Sequence, residues 1–540
     1  MAEGGTGYRD APSAEECDPR GLSARIRLVR ESALNCAPAA ISAVASLALV
    51  PIMLHRMGAE NYGIWIACLT AANVATLLDF GLGWSVTREV AAANGACGDS
   101  RRPPVEFVNG AGGAFVVMGL AGCLGVAGST RVLIGAMGLS AGAHALLPWA
   151  CACAGVFFLG TNLWCFARAL LSGLRRFGLI ALISVTWIIL SAVATVAALM
   201  LGLGLPGVAG VQGAVALGAG VAGLALATRA YPDLRPAIRG LRWSTLAPHV
   251  RFGAFSQLVN WIGYLIWQAP PMLAGLLLGA PVVAFYHVGQ KLPLLLTRFT
   301  DGGGEVAFAA ISENRGERDP SQARLTVDRV ARALLVVETP LCLIGWIMAP
   351  AILRLWIGSS PQVLVVVMRV TTLVVMLDAL SASFFLYLWT NGEFRRLLAL
   401  ELGVAAATVV LGGAMLAMFG ATGAVWGLAA ASAGGCAALI WSGCASTGRS
   451  PWDFLRSVLL DLAPASILCA LGLYASLIVL PGSIAGLLGA AAVAGALYCG
   501  ALYWTSREEE RRLVRELVRA PFVPGPRAPE RARAALNAGG

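Results

Sequence analysis

Three basic side chains lie close together in one apolar run near the middle of the sequence. His287, Lys291 and Arg298 follow one another at i, i+4 and i+11, which places them on one face of a helix, with Gln290 beside them. A basic row at such a position suits a ligand with concentrated negative charge, such as a pyrophosphate or an acidic sugar. Two alternatives stay open: Lys291 can extend toward the polar end of the helix while Arg298 anchors that end, and His287 can donate a hydrogen bond between helices.

A second polar row precedes the first. Gln257, Asn260 and Tyr264 are spaced i, i+3 and i+7, again on one helical face. Amide and phenol groups suit the face of a neutral sugar, and they serve equally well as hydrogen-bonding contacts between helices. Pro270 and Pro271 follow this row and are predicted to break or kink the helix, which would give a hinge.

Acidic residues within apolar runs form the third set of candidates. Asp378 is the most central of them and is the best single candidate for a carboxylate that takes up and releases a proton. Asp79 lies near the end of another run and is followed by Arg88. Three further acids lie nearer to helix ends, where solvation at the interface is the simpler explanation: Glu338, Glu401 and Asp461.

The elements that must position these side chains are membrane-spanning helices. Of the 540 residues, 58% are hydrophobic and only 13% are charged, and the mean hydropathy is +0.75. A soluble domain carries about a quarter charged residues, so a soluble enzyme, a secreted disulfide scaffold and a disordered chain are all excluded. A helix needs about 20 apolar residues to cross a bilayer. That rule predicts fourteen spans, at 34–54, 62–84, 107–127, 143–166, 178–202, 207–228, 252–279, 281–300, 333–357, 362–389, 397–419, 421–444, 457–480 and 483–504.

The distribution of the 39 Lys and Arg residues tests this topology independently. With a cytoplasmic N-terminus, nearly all of them fall in predicted cytoplasmic segments, and only Arg56, Arg131 and Arg354 fall on the outer side. Both termini are therefore predicted to be cytoplasmic. The net charge of +10 is explained by this bias, so nucleic acid is not an expected partner, and no Cys/His cluster suggests a metal.

The two halves of the chain resemble each other. Gly173 matches Gly392 after the fourth and tenth spans, and Gly207 matches Gly420 before the sixth and twelfth. We expect an all-α polytopic membrane protein with two pseudo-symmetric lobes of six helices, related by an axis along the membrane normal, and two additional C-terminal helices. The alternative is chance similarity between helix ends rich in Gly and Ala. The predicted parts are a cytoplasmic tail (1–33), an N-lobe (34–228), a linker (229–251), a C-lobe (252–444), spans 13 and 14 (457–504) and a partly disordered tail (505–540).

Several motifs resemble those of a known transporter family. Residues 53–65 read MLHRMGAENYGIW, residues 78–82 read LDFGL, and residues 278–292 read LGAPVVAFYHVGQKL. In order and position they are similar to the motifs of polysaccharide-type flippases in the multidrug/oligosaccharidyl-lipid/polysaccharide exporter superfamily. The match at Asp79 implies a structural or gating role for this residue, in an ion pair with a basic residue at the inner mouth, and Arg88 is included with it as a gating candidate. Two features depart from that pattern: the acid usual in span 7 is replaced near Gln268, and the Pro usual after span 8 is absent near Phe308.

The resemblance implies a flippase of the bacterial inner membrane that makes and breaks no covalent bond. Its substrate would be a polyprenyl-pyrophosphate-linked oligosaccharide for O-antigen, capsule or exopolysaccharide synthesis, and a polymerase and chain-length proteins would be its partners. A hydrated cationic cavity between the lobes would hold the saccharide head. No cofactor is expected beyond a coupling proton or sodium ion. A cation-coupled multidrug exporter and a lipid II exporter stay open as alternatives, while the short outer loops disfavour a membrane glycosyltransferase or polymerase.

Overall fold

Every regular element in the described part of the chain is a helix. The computed structural model describes residues 21–76, 81–95, 105–136, 139–231, 243–313, 320–479 and 483–505, and no strand occurs among them. The helices are α1 (Gly21–Thr76), α2 (Leu82–Gly95), α3 (Val105–Gly128), α4 (Thr130–Ala136), α5 (Ala141–Gly173), α6 (Phe177–Met200), α7 (Gly204–Ala230), α8 (Trp243–Leu278), α9 (Ala280–Glu313), α10 (Pro320–Ile347), α11 (Ala349–Ile357), α12 (Gln362–Thr390), α13 (Phe394–Phe419), α14 (Gly423–Thr447), α15 (Pro451–Val479) and α16 (Ile484–Thr505).

Each predicted span coincides with helical structure. Eleven described segments are long and apolar enough to cross a membrane, and two of them, Pro38–Asn73 and Phe394–Thr447, each cover two predicted spans. The eighth predicted span lies in α9. The chain is a multi-pass helical membrane protein, as its composition predicts.

The first two predicted spans lie in one stretch of helix that is divided at a glycine. Gly58 has φ 78° and ψ 164°, which is not helical, and it separates residues 21–57 of α1 from residues 59–76. A residue with a side chain would be strained at this φ, whereas glycine adopts it readily. Beyond residue 80 the second span continues as α2.

The helix boundaries differ from the predictions in three places. The predicted ninth span, 333–357, is broken at Met348 into α10 and α11, because Pro350 in the first turn of α11 cannot donate a backbone hydrogen bond to the preceding turn. The short helix α4 lies where an outer loop was predicted. Of the break or kink predicted at Pro270 and Pro271, the break is wrong: α8 continues through both residues, and α9, α13 and α14 pack against it.

Two of the glycines that predicted an internal repeat, Gly173 and Gly392, lie at or just beyond the ends of α5 and α12. The turns that end these two helices are the same: Arg175 (φ 55°) and Gly392 (φ 77°) each donate to a carbonyl three residues back, and the following residue donates to one five residues back. Because α6 and α14 end with the same turn, at Gly202 and Gly448, the turn is not specific to a repeat, which stays a prediction. Gly173 lies where α5 meets α2, and a methyl group there would contact Val90.

The helices pack as two groups. In the first helix group, which we define as α1–α7, the main contacts are between α5 and α7, α3 and α5, and α6 and α7. In the second helix group, α8–α14, they are between α13 and α14, α9 and α12, and α10 and α12. The α15–α16 hairpin packs on α10. The groups meet mainly where α1 contacts α9, and a cavity opens between them elsewhere.

Candidate functional site

A large cavity lies between the two helix groups. Its volume is about 900 Å³, which is near the upper end of the range for sites that bind small molecules. The second group supplies most of the wall, from α8, α12, α13 and α14, and Trp84 of α2 contributes from the first group. A change in the relative position of the groups would therefore change the shape of the cavity.

The cavity extends from the middle of the bundle toward one of its ends. At about 1.5 Å per residue, Asp378 lies about 24 Å from the Gln362 end of α12 and about 18 Å from the Thr390 end. Trp389 in the wall belongs to the last turn at the Thr390 end. Because the first turn of α13 carries Arg395 and Arg396, this is the end that the distribution of basic residues predicts to be cytoplasmic.

Two acidic side chains face this cavity. Asp378 on α12 is exposed to it, and Glu401 on α13 is half-buried in its wall. Neither carboxylate has a hydrogen-bonding or ion-pairing partner within the described residues, and none of the described residues in the wall is Lys, Arg or His. Asn260 of α8 and Ser381 of α12 supply further hydrogen-bonding groups. The wall is therefore acidic, in contrast to the cationic cavity expected from the sequence.

Two acids expected at the membrane–water interface lie elsewhere. Glu401 borders the cavity because α13 packs on α14 and α8, an arrangement that turns this face of the helix inward. Glu338 is completely buried on α10, so its side chain is not solvated at a helix end. Asp461 does lie partly in solvent, where it forms an ion pair of 3.2 Å with Arg332.

Aromatic rings form much of the remaining wall. Trp84 has 68% of its surface exposed although it borders the cavity, and Trp267 of α8 lies in the same wall. Phe385 and Trp389 of α12 are stacked, with ring centroids 5.8 Å apart and planes inclined by 28°. Flat rings beside carboxylate and amide groups suit a ligand with both apolar faces and polar edges.

The opposite half of the interface between the groups is closed. Tyr62 of α1 and His287 of α9 share a hydrogen bond of 2.8 Å between Oη and Nδ1. Gly63 lies directly against the backbone carbonyl of Ala280. The indole Nε1 of Trp356 donates to the Leu47 carbonyl at 2.7 Å. One buried apolar cluster surrounds these contacts and joins α1 and α5 to α9, α11 and α12. We call this region the outer seal, because it lies away from the end that the distribution of basic residues predicts to be cytoplasmic.

His287, the first residue of the predicted basic row, lies at the interface between the groups. His287 contacts α1 through its hydrogen bond to Tyr62, and Lys291 lies one turn further along the same face of α9 and is half-buried. Gln290 is buried, and its Nε2 has no hydrogen-bonding partner in the described part of the chain. Arg298 belongs to α9, but its side chain lies outside the described residues.

The predicted polar row on α8 divides between the interface and the cavity. Tyr264 donates from Oη to the Thr70 carbonyl on α1 at 3.2 Å, and Gln257 is buried. Asn260 borders the cavity together with Asp378, so the structure brings these two predicted residues into one site.

The two residues predicted to form a gate are described only in part. Arg88 forms an ion pair of 2.8 Å with Glu89 and lies one turn beyond Trp84 on the same face of α2. It is therefore close to the mouth of the cavity. Asp79 lies outside the described residues.

Sequence reasoning missed the aromatic part of the wall, although a signal for it was present. Asp378, Ala382, Phe385 and Trp389 are spaced i, i+4, i+7 and i+11, which is one face of α12. An acid and two large rings on one stripe of an otherwise aliphatic helix indicate a face that does not contact lipid. Trp84 carried no comparable signal, because a tryptophan near a helix end is also typical of the membrane interface.

The described residues contain no group of three or more His, Cys, Asp or Glu side chains able to hold a metal ion. What the cavity offers is a set of hydrogen-bond acceptors and aromatic faces, in a space large enough for a polyhydroxylated molecule or an organic cation.

The comparisons with known proteins agree with this architecture. Residues 30–314, more than half of the chain, match the model of the family described as polysaccharide biosynthesis protein. No curated protein matches the chain. Among solved structures, the lipid II flippase MurJ in an inward closed conformation superposes with a TM-score of 0.63 at 13% identity, covering 88% of this chain and 98% of that one.

A second solved structure has the same fold. An inward-facing multidrug resistance MATE family transporter of the MOP superfamily superposes with a TM-score of 0.61 at 14% identity, covering 75% of this chain and 94% of that one. Identities this low show a shared fold, whereas the family match covers most of the first helix group and continues into the second. The chain belongs to the polysaccharide biosynthesis protein family and has the transporter fold of the multidrug/oligosaccharidyl-lipid/polysaccharide exporter superfamily.

Proposed function

We propose that the protein moves a polyprenyl-pyrophosphate-linked oligosaccharide across the bacterial inner membrane by alternating access, from the cytoplasmic to the outer leaflet. The observation that carries this proposal is the cavity of about 900 Å³ between two helix groups, which is closed on one side by the outer seal. The family description and the likeness to a structure named as a lipid II flippase support it. The orientation follows from the predicted cytoplasmic location of the α12–α13 turn.

The physical task explains the division of the interface. The polyprenyl tail can remain in lipid, while the charged and hydroxylated head needs a polar passage between the groups. We assign the pyrophosphate to the basic row on α9 and its neighbouring amide: His287, Lys291, Arg298 and Gln290. We assign the saccharide to the cavity wall and to the polar row on α8: Gln257, Asn260 and Tyr264. Rocking of the groups would then break the outer seal and close the cavity on the cytoplasmic side. No covalent bond is made or broken, so we do not regard the protein as an enzyme.

Coupling to an ion gradient is assigned to the second helix group. Asp378 is central in the membrane and open to the cavity, where a proton or sodium ion can reach it. Arg88, near the cavity mouth, and Asp79 are the proposed gating pair. The transported unit would serve O-antigen, capsule or exopolysaccharide synthesis, with a polymerase and chain-length proteins acting after it.

One observation favours a second candidate, an exporter of organic cations. An acidic and aromatic wall without basic residues, in the described part of the chain, also suits a flat cationic molecule. The fold is shared with a multidrug transporter as well. The two candidates differ in whether loss of the protein traps a glycolipid or sensitises cells to cationic drugs.

The test is the sidedness of lipid-linked oligosaccharide in cells depleted of this protein. We expect the glycolipid to accumulate on the cytoplasmic face and to reach the outer face again when the wild-type protein is restored. Lys291→Ala should fail to restore it, whereas Arg395→Ala, a matched charge removal on the exposed start of α13, should succeed. Normal outward delivery with a defect only in drug resistance would favour the cation exporter, and a defect only in chain elongation would contradict transport altogether.

A further inference from the structure

The charges in the cavity wall indicate which kind of substrate the cavity favours, which membership of the family does not indicate. Two carboxylates, Asp378 and Glu401, face one space, and neither has a partner among the described residues. A carboxylate in the membrane interior needs hydrogen-bond donors or a cation to offset the loss of water. A ligand that fills this space should therefore bring donors toward these oxygens, as the hydroxyl groups of a sugar do.

The same wall disfavours a negatively charged head group. A uronic acid or another acidic sugar would bring a third negative charge to Asp378 and Glu401, and none of the described residues in the wall is basic. Like charges a few ångströms apart repel strongly in a partly buried site, where water screens them poorly. Repulsion of this kind is an effective way to discriminate against a competing ligand.

The aromatic rings supply the complementary contact. Trp84, Trp267, Phe385 and Trp389 come from α2, α8 and α12, so flat faces border the cavity from more than one direction. The ring carbons of a pyranose carry outward C–H groups with a small positive charge, which stack on the negative face of an indole. Asn260 and two serines line the same cavity and can bond to the hydroxyl groups at the sugar edge.

We infer that this cavity recognises uncharged saccharides and discriminates against acidic ones, so that the transported oligosaccharide presents uncharged sugars to the wall formed by α8, α12, α13 and α14. This inference rests on the proposed function, because it assumes that a saccharide enters the cavity. It divides the head group between two sites: the pyrophosphate meets the basic row on α9, and the sugars meet the acidic and aromatic wall.

The experiment uses two synthetic lipids that differ in one group. Both carry a short polyprenyl pyrophosphate and a disaccharide, and the outer sugar is glucose in one and glucuronic acid in the other. Binding to the purified full-length protein is followed by tryptophan fluorescence, and translocation is followed in reconstituted vesicles. We expect the wild-type protein to prefer the glucose lipid by at least about tenfold in both assays.

Two isosteric changes test the origin of that preference. Asp378→Asn and Glu401→Gln remove the charges with little change in shape, and together they should reduce the preference in binding to less than about threefold while the glucose lipid still binds. Asp453→Asn, an exposed acid on α15, should leave the preference unchanged. Retained binding of the glucose lipid shows that the altered protein is folded.

The aromatic wall has its own pair of variants. Trp267→Ala should weaken binding of the glucose lipid about tenfold or more, in line with the contribution of a stacked ring, whereas Trp441→Ala should not. Trp441 is 70% exposed on α14 and lies outside the cavity wall.

The outcomes separate the two proposals. Equal handling of both lipids, or a preference for the glucuronic acid lipid, would overturn this inference and leave the flippase proposal standing. Failure to translocate either lipid would overturn both. Binding of a flat organic cation with no binding of either lipid would also overturn both proposals and would favour a drug exporter.

Discussion

The outer seal makes a strong prediction about Gly63. This residue lies on α1 where the first helix group meets α9 of the second, and a methyl group added to it would stand 2.7 Å from the carbonyl carbon of Ala280 and would overlap the carbonyl oxygen. The obstacle is backbone, so it cannot be relieved by rotation of a side chain. Gly63→Ala should therefore force the two groups apart on this side.

The magnitude follows from the usual cost of overpacking. An added methyl group in a well-packed contact costs about 1–3 kcal/mol. Only the conformation with a closed outer seal bears this cost, so the equilibrium should shift toward the outward-open conformation by about 5- to 150-fold. The loss of the Tyr62–His287 hydrogen bond on opening is common to the wild type and the variant, and it does not alter this difference.

A reporter cysteine measures the shift. Val283 is 1% exposed within the seal, and Val283→Cys changes its volume little. The rate of its reaction with a membrane-impermeant maleimide added from the outer side reports how often the seal opens. Gly63→Ala should raise this rate by about 5- to 150-fold if opening is rapid, and the same protein without Val283→Cys measures the reaction of native cysteines.

Two further glycines provide controls. Nothing lies within 4 Å of a methyl group added at Gly218, so Gly218→Ala should not change the rate. Gly289→Ala would contact Val367 at 2.8 Å, but both residues belong to the second helix group, so this variant strains the fold without separating the groups. A rate for Gly63→Ala no higher than that for Gly289→Ala would refute the assignment of this region as a gate.

Three other predictions concern stability and coupling. Arg449→Ala should lower the free energy of unfolding by about 1–3 kcal/mol, because it leaves Asp328, which is 17% exposed and 2.6 Å away, without its cation. Arg396→Ala removes an exposed ion pair and should lower it by less than about 1 kcal/mol. Equal melting temperatures for the two variants would contradict this prediction. Tyr286→Phe should lower the free energy of unfolding, measured by thermal unfolding, by about 1–3 kcal/mol. The Tyr286 hydroxyl donates to one backbone carbonyl and accepts from one N–H at the start of α14, and the variant loses both bonds. An unchanged melting temperature would show that those bonds contribute nothing. Asp378→Asn should abolish the response of translocation to an imposed ion gradient while glycolipid binding persists, and a retained response would assign coupling to another group.

The helical architecture could be predicted because bilayer thickness imposes a length on every span. Twenty apolar residues are needed wherever a helix crosses, so a one-dimensional pattern is sufficient to find it. Local chemistry within a span was harder to predict. The break at Met348 depends on Pro350, yet Pro270 and Pro271 do not break α8, because neighbouring helices decide whether a proline interrupts a packed helix.

The site was predicted less completely because burial depends on neighbours that the sequence does not identify. Glu338 and Glu401 have similar positions near the start of their predicted spans, but one is completely buried and the other faces the cavity. The internal repeat was predicted from glycines, yet the residue that takes the position of Gly392 in the turn after α5 is Arg175, a residue type that does not predict a positive φ. Asn260 and Asp378 were selected because each is a polar residue in an apolar helix, and their position at one cavity depends on the packing of α8 and α12 against α14, which the sequence does not show.

The central claim, that this protein moves a lipid-linked saccharide across a membrane, is tested most directly with the purified chain in sealed vesicles. A fluorescent polyprenyl-pyrophosphate saccharide is introduced into the vesicles under an imposed ion gradient, and an impermeant quencher added outside measures how much of it becomes accessible. We expect quenching beyond that in protein-free vesicles, and we expect Lys291→Ala to reduce its rate while Arg395→Ala does not. Quenching that is the same with and without the protein, under both proton and sodium gradients, would contradict the claim.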